Sequence, residues 1–440
     1  MNKELFDLAS WAIENAKKAG AAASRVAIDR ERSVEISYRE HKPENIKEAA
    51  KRSLSIEIFA DGRFSGQTTS DLRKKALEEF IANAVRTTRL LAEDPYRSLP
   101  DPHYYQGRST ADLQLTDPAY SGYTPEERHK TARAMEEACL EAGGDKVISV
   151  TAQAQDGENE SVLLASNGFE GGQSSTFYAG VASMTAQDEG ERRPNGYHYA
   201  VAIRRSEMPG PEEIGRIAAR NTLDLLGAAK IKTETLPVII RNQDVSRVLS
   251  GLLAAMYGAN IQQKRSFLAD KRGQKIASEV LTVIDDPLLP GGLGSRTFDN
   301  DGMAARRRIM IDKGVLNEFF VDWYYSRKLG WEPTTGGPAN LLIPPGSRSV
   351  AEIMQELGRG IYITGFIGGN SNSTTGDSSI GILGKLFENG VPVQSVAEMN
   401  IAGNHLEFWH KLIEAANDPW PYSSWRTPSL VFKEVVVSGV

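Results

Sequence analysis

Leu5, Leu8, Ala9 and Ala12 recur at three- and four-residue intervals in MNKELFDLASWAIENAKKAG, the period of an amphipathic helix. The period then drops to two. RVAIDRERSVEISYRE and SLSIEIFADGRFSGQTT alternate apolar and polar residues, which predicts half-buried strands, with Asp61-Gly62 as a hairpin turn. TSDLRKKALEEFIANAVRTTRLLA returns to the helical period, and Thr69 or Ser70 is its expected cap. The stretch DPYRSLPDPHYYQGRSTADLQLTDPAYSGYTP breaks the pattern with prolines and aromatics. It reads as a linker between domains or an ordered arm crossing the surface.

A helix resumes at Pro125 and ends near Gly143-Gly144. Several strands follow, with turn signals at Asp156-Gly157 and Asn167-Gly168, and the helix GPEEIGRIAARNTLDLLGA closes this stretch. Thr235-Leu236-Pro237 opens a third unit, with the buried strand PVIIRN and a helix from about Asp244 to Tyr257. Beyond it the chain is rich in strands and glycine. Hairpin turns are expected at Lys313-Gly314 and Asn389-Gly390, and helices at 349–358 and across HLEFWH. No regular alternation of strand and helix runs through the chain, so the fold class is α+β and not a doubly wound sheet. The expected units are an N-terminal α/β unit (1–95), the linker or arm (96–124), a mixed middle α+β unit (125–232) and a larger strand-rich C-terminal domain (233–440).

Composition narrows the function. Of the 440 residues, 40% are hydrophobic and 25% charged, as in a globular protein with room for a sizeable core. The net charge of −6 offers no general polyanion surface, and Arg306-Arg307-Arg308 reads as strand with solvated or paired charge, so no direct nucleic-acid contact is expected. Glu4, Asp7 and Glu14 interrupt the first helix, which excludes a signal peptide, and no apolar run is long enough to span a membrane. A cytoplasmic location follows. Cys139 is the sole cysteine, so there is no internal disulfide, and its helical spacing with Ala132 and Met135 marks a buried small hydrophobe.

Sites of chemistry are scarce. GFIGGNSNSTTGDSSIG lacks both the phosphate-loop ending and the dinucleotide spacing, and reads as a glycine-permitted loop beside a sheet edge. Asp285-Asp286-Pro287 and Asp299-Asn300-Asp301-Gly302 are dense in acid, which turn chemistry explains without a cation. There are six histidines and no G-x-S-x-G elbow. HLEFWH carries two of them, His405 and His410, around Glu407. In a regular helix residues five apart diverge by about 140°, so both imidazoles reach one metal only if the helix is distorted, for example by a π-bulge. Trp409, Leu412, Ile413 and Ala416 form an apolar stripe, and the two histidines read as satisfied surface residues flanking it.

The motifs RSFLADKRGQKIASEVLTVIDDPLLPGGLGSRTFDNDG, IDKGVL, YYSRKLG, TTGG, TGDSSIG, FENG and IAGN follow in unbroken order across most of 235–440. In these the chain resembles the TldD/PmbA family, which carries the historical label "modulator of DNA gyrase". It looks like the PmbA, or TldE, type. The resemblance implies a role in a cytoplasmic two-subunit metallopeptidase that degrades or trims unfolded and modified peptides. In that arrangement a TldD-type partner holds the metal through an H-E-x-x-x-H helix and a late cysteine, and the TldE-type subunit lacks the set.

Carried over by position, the metal block falls at VLSGLL. There Val248 and Leu253 stand for the histidines and Leu249 for the glutamate, and no histidine lies between His198 and His405. The C-terminal stretch DPWPYSSWRTPSL has no cysteine. The resemblance therefore implies no catalytic residue, metal ligand or cofactor in this chain. It implies a heterodimer with a TldD-type metallopeptidase, a homodimer being the alternative for the chain alone, and peptide substrates. The spacing of Val245, Val248, Leu249, Leu252 and Met256 independently makes this segment an apolar helix face. Two rival readings stand beside it: an independently active hydrolase with a non-metal site, and a binding module acting on DNA gyrase.

Overall fold

The computed structural model describes residues 3–439. Helix α1 (Lys3–Lys18) is followed by three strands, β1 (Ala23–Arg39), β2 (Lys42–Ala60) and β3 (Arg63–Thr69), and by α2 (Lys74–Thr88). After the proline-rich stretch come α3 (Pro125–Gly143), β4 (Val147–Ala165), β5 (Phe169–Ala186), β6 (Asn195–Ala202) and α4 (Pro211–Leu223). The two groups of strands share one antiparallel sheet in the order β3-β2-β1-β4-β5-β6. β1 joins them, pairing with β2 along one edge and with β4 along the other.

The alternating pattern explains why the sheet buries one face. Val26, Ile28, Leu54, Ile56 and Ile58 pack under α1 and α2. Further along the same face, Val34, Ile36, Val150, Ala152 and Met184 pack under α3 and α4 with Cys139. The intervening residues on β4, Ser149, Thr151, Gln153 and Gln155, are half-buried on the opposite face. Cys139 is enclosed, and burial pushes its thiol up to about 12, which fits an inert core residue.

The remaining chain forms two sheets over one large apolar core. One runs β14-β13-β12-β7-β17-β15, built from β7 (Glu234–Ile240), β12 (Arg359–Ser371), β13 (Asp377–Glu388), β14 (Val391–Asn404), β15 (Leu412–Ala415) and β17 (Leu430–Ser438). An extra pairing of β14 with β17 closes five of these strands into a ring. The other sheet orders β10 (Val315–Leu316), β9 (Arg308–Asp312), β8 (Val283–Asp285), β11 (Leu341–Leu342) and β16 (Trp425–Arg426). Helices α5 (Val245–Ala254), α6 (Gly258–Gln262), α7 (Trp323–Leu329), α8 (Val350–Leu357) and α9 (His405–His410) fill the connections. The α+β class holds.

Several local expectations change. Asp156-Gly157 is no turn: both residues lie inside β4, opposite Tyr178 and Phe177 of β5. Asp156 is buried there because Arg128 of α3 grips both its carboxylate oxygens, at 2.6 and 2.7 Å. Thr69 and Ser70 do not cap α2. Thr69 ends β3, and Arg73 takes the cap position without a side-chain hydrogen bond. The glycine-rich segment expected as a loop is mostly strand, since β12 and β13 are separated only by residues 372–376. The proline-rich stretch is stitched to the C-terminal part: Tyr324 donates to Asp94, Trp323 and Arg327 to Ser98, and Tyr104 to Glu332.

Candidate functional site

Helix α5 begins where β7 leaves the sheet, and its sequence is apolar on more than one side. Val245, Leu249, Leu252 and Leu253 are fully enclosed, Met256 just beyond the helix likewise, and Val248 packs half-buried on the same core. The helix is shorter than expected: it stops at Ala254, and the chain turns before α6. Alkyl groups therefore occupy all three positions, Val248, Leu249 and Leu253, onto which the metal block was carried. Zinc in peptidases is held by imidazole, thiolate or carboxylate donors. Among the described residues no group of three or more His, Cys, Asp or Glu side chains is placed to hold a metal ion. The side chains at α5 do not fit such a metal.

Gly251, in the middle of α5, marks a close approach that the sequence signalled only as a lone glycine in an apolar helix. A Cβ there would lie 2.5 Å from His405 Nε2 and 2.7 Å from Ser371 Oγ. His405 thus sits against the helix backbone. Its Nε2 and Ser371 Oγ share a 2.7 Å hydrogen bond, and its ring lies parallel to that of Phe267 at 5.9 Å. The expectation of two surface histidines is corrected for this residue: His405 is 4% exposed, whereas His410 is exposed. HLEFWH forms only a short helix, and the apolar stripe continues as strand β15 instead of helix. Trp409 is buried, as its place in the stripe implies, and Ile413 turns outward.

The pair invites comparison with a serine nucleophile and its base. Chemistry argues against that. His405 Nδ1 is buried without a partner, so no third group orients the ring or stabilises an imidazolium. If Nε2 accepted the serine proton, Nδ1–H would be an unpaired buried donor, the costlier of the two tautomers. Burial pushes the imidazole down to about 4, far from the value that suits a general base at neutral pH. The pair is a packing lock between α5, β12 and α9.

The acidic stretches are equally occupied. Asp299 Oδ1 takes the backbone N–H of Asp301 and of Met303, each at 3.0 Å, the turn chemistry expected from the sequence. Asp301 pairs with Arg25 of β1 at 2.7 Å and accepts from Trp323 N. Asp286 Oδ1 accepts from Leu288 N. These acids fasten loops and join the first sheet to the C-terminal part.

A cavity of about 330 Å³ opens where β6 and α4 meet the start of α5 and the middle of β12. Its walls include the roughly parallel rings of Tyr197 and Tyr199, two residues apart on β6, together with Asn221, Gln243 and Phe366. Arg241 spans it, donating to Asp244 at 2.7 Å and to the Thr364 carbonyl at 2.7 Å. Burial pushes the Asp244 carboxyl up, against the pull of Arg241. Nothing in the sequence pattern singled out this cavity. Its one trace is the alternation of Tyr197 and Tyr199 around buried His198.

Residues 119–226 match the central domain, and residues 233–439 the C-terminal domain, of the PmbA/TldA metallopeptidases. A peptidase-type frame is thus defined over most of the chain. The protein belongs to the PmbA/TldD metallopeptidase family. Metalloprotease PmbA of Escherichia coli O157:H7 is 29% identical over 99% of this chain and 96% of its own length. A crystal structure from Bacteroides thetaiotaomicron, assigned by name only as a modulator of DNA gyrase, is 38% identical and covers all of both chains with a TM-score of 0.97. TldE from Thermococcus kodakarensis shares the fold, with a TM-score of 0.87 at 22% identity over 98% of this chain and all of that one.

Proposed function

We propose that this protein is the non-catalytic, TldE-type subunit of a cytoplasmic two-subunit metallopeptidase that acts on unfolded or modified peptides. The observation that carries this reading is α5, where Leu249, Leu252 and Leu253 are fully enclosed and Gly251 is backed by His405. A helix so filled supports a structural role. Its partner is a TldD-type chain that bears H-E-x-x-x-H, and the subunit contributes surface and a share of the enclosure around the peptide. No helix of the described residues is long and apolar enough to cross a membrane. The test is co-elution. The purified chain mixed with such a relative runs as one complex on size exclusion, and separate elution at micromolar concentrations overturns the reading.

A further inference from the structure

We propose that the cavity between β6 and the start of α5 binds the free α-carboxylate end of a short peptide. This deepens the peptide-handling reading and rests on it. The charges around the cavity decide the class of ligand. Asp244 is matched by Arg241 at 2.7 Å, and Asp224 by Lys385 at 2.6 Å. Both acids are therefore already paired, and the cavity has no spare anion for a peptide amine.

Arg247 is different. It lines the same cavity, is exposed, and has no carboxylate partner among the described residues. Its Nη2 donates to the Gly368 carbonyl at 2.8 Å, which anchors one arm of the guanidinium. Nε and Nη1 have no partner among the described residues, and a planar fork with free donors suits a carboxylate. Ser246, beside it on the wall, carries a hydroxyl that can add a donor. The Tyr197 ring, 57% exposed at the wall, gives an apolar surface for the terminal side chain. A cavity of about 330 Å³ lies at the small end of ligand pockets, which suits the last residues of a peptide.

The test uses the isolated full-length chain, so it is independent of any partner subunit. Ala-Ala-Phe and its C-terminal amide are titrated calorimetrically. The free acid binds roughly tenfold tighter or more, the effect of one charge-assisted hydrogen-bonded pair. Arg247→Met brings the acid to the level of the amide without shifting the melting temperature, and Ser246→Ala gives a smaller loss. Equal binding of acid and amide, no binding of either at millimolar concentration, or an unchanged Arg247→Met affinity overturns the proposal. Arg247→Met still co-eluting with the TldD-type relative separates failure of this site from failure of the subunit assignment.

Discussion

Gly251 of α5 and His405 of α9 approach so closely that a single added methyl group on the glycine would lie 2.5 Å from the imidazole. That contact sits in the helix onto which the resemblance carried the metal block, at Val248, Leu249 and Leu253. Here the helix backbone meets the same Nε2 edge of the histidine that hydrogen-bonds Ser371, while the ring plane lies parallel to Phe267.

Gly251→Ala is therefore expected to destabilise the protein. Alanine normally favours a helix interior by roughly 0.5–1 kcal/mol over glycine, but overpacking a tight contact costs about 1–3 kcal/mol. The net is a loss, measured by urea denaturation. Gly251→Ala combined with His405→Ala is expected to lose less than the sum of the two single changes, because the clash is gone.

His405 and His198 are both nearly enclosed, and burial pushes each from 6.5 down to about 4. The unfolded chain takes up these protons near pH 6.5 and the folded one does not. Their stabilisation is complete above about pH 6.5 and fades as pH falls toward 4, by about 1.4 kcal/mol per pH unit for each. Asp285 and Asp299, pushed up by burial to about 6 and about 7, act in the opposite direction. The wild-type curve is thereby flattened, and the difference between wild type and His405→Gln isolates the histidine. That difference shrinks as pH drops from 6.5 to 4, and a difference that stays constant over this range would contradict the burial of His405.

Ser371→Ala tests whether the Ser371–His405 pair is a nucleophile. With Nδ1 unpartnered and the imidazole held low, a fluorophosphonate probe is expected to leave Ser371 unlabelled, read by mass spectrometry of the intact chain. Any peptide hydrolysis in a pure preparation should be unchanged by the substitution. Stoichiometric labelling would restore the independent-hydrolase reading.

Much of the fold was legible in the sequence because period alone sets it. The two-residue alternation that gives β1 its buried Val26, Ile28, Val34 and Ile36 is visible without a structure. What period cannot show is partnership across distance. Asp156-Gly157 looked like a turn because those residue types favour turns, and only Arg128 on another element makes a buried strand position tolerable for the aspartate. In the same way His405 looked like a surface residue until Gly251 left room for it. The apolar character of α5 was legible, whereas the cavity beside Tyr197 and Arg247 was not, since its walls come from five separate elements, β6, α4, α5, β12 and β13.

Arg25 is the clearest energetic link between the first sheet and the C-terminal part. It pairs with Glu57 on β2 and with Asp301, each at 2.7 Å, and its side chain is 13% exposed. Arg25→Met leaves two acids without their cation and should cost about 3 kcal/mol, the lower end of the range for breaking a buried pair. Urea unfolding provides the measurement. Retention of full stability would show that the pair is screened by solvent.

The central claim, a filled and non-catalytic helix α5 in a subunit that serves a metal-bearing partner, meets its most direct test in a reconstitution assay. The purified chain, a relative carrying H-E-x-x-x-H, and the two together are each given an unfolded peptide with and without a chelator. The account predicts no cleavage by this chain alone, and cleavage by the pair that exceeds the relative alone and stops with chelator. Cleavage by this chain alone that persists through repurification, or no gain on mixing, would contradict it.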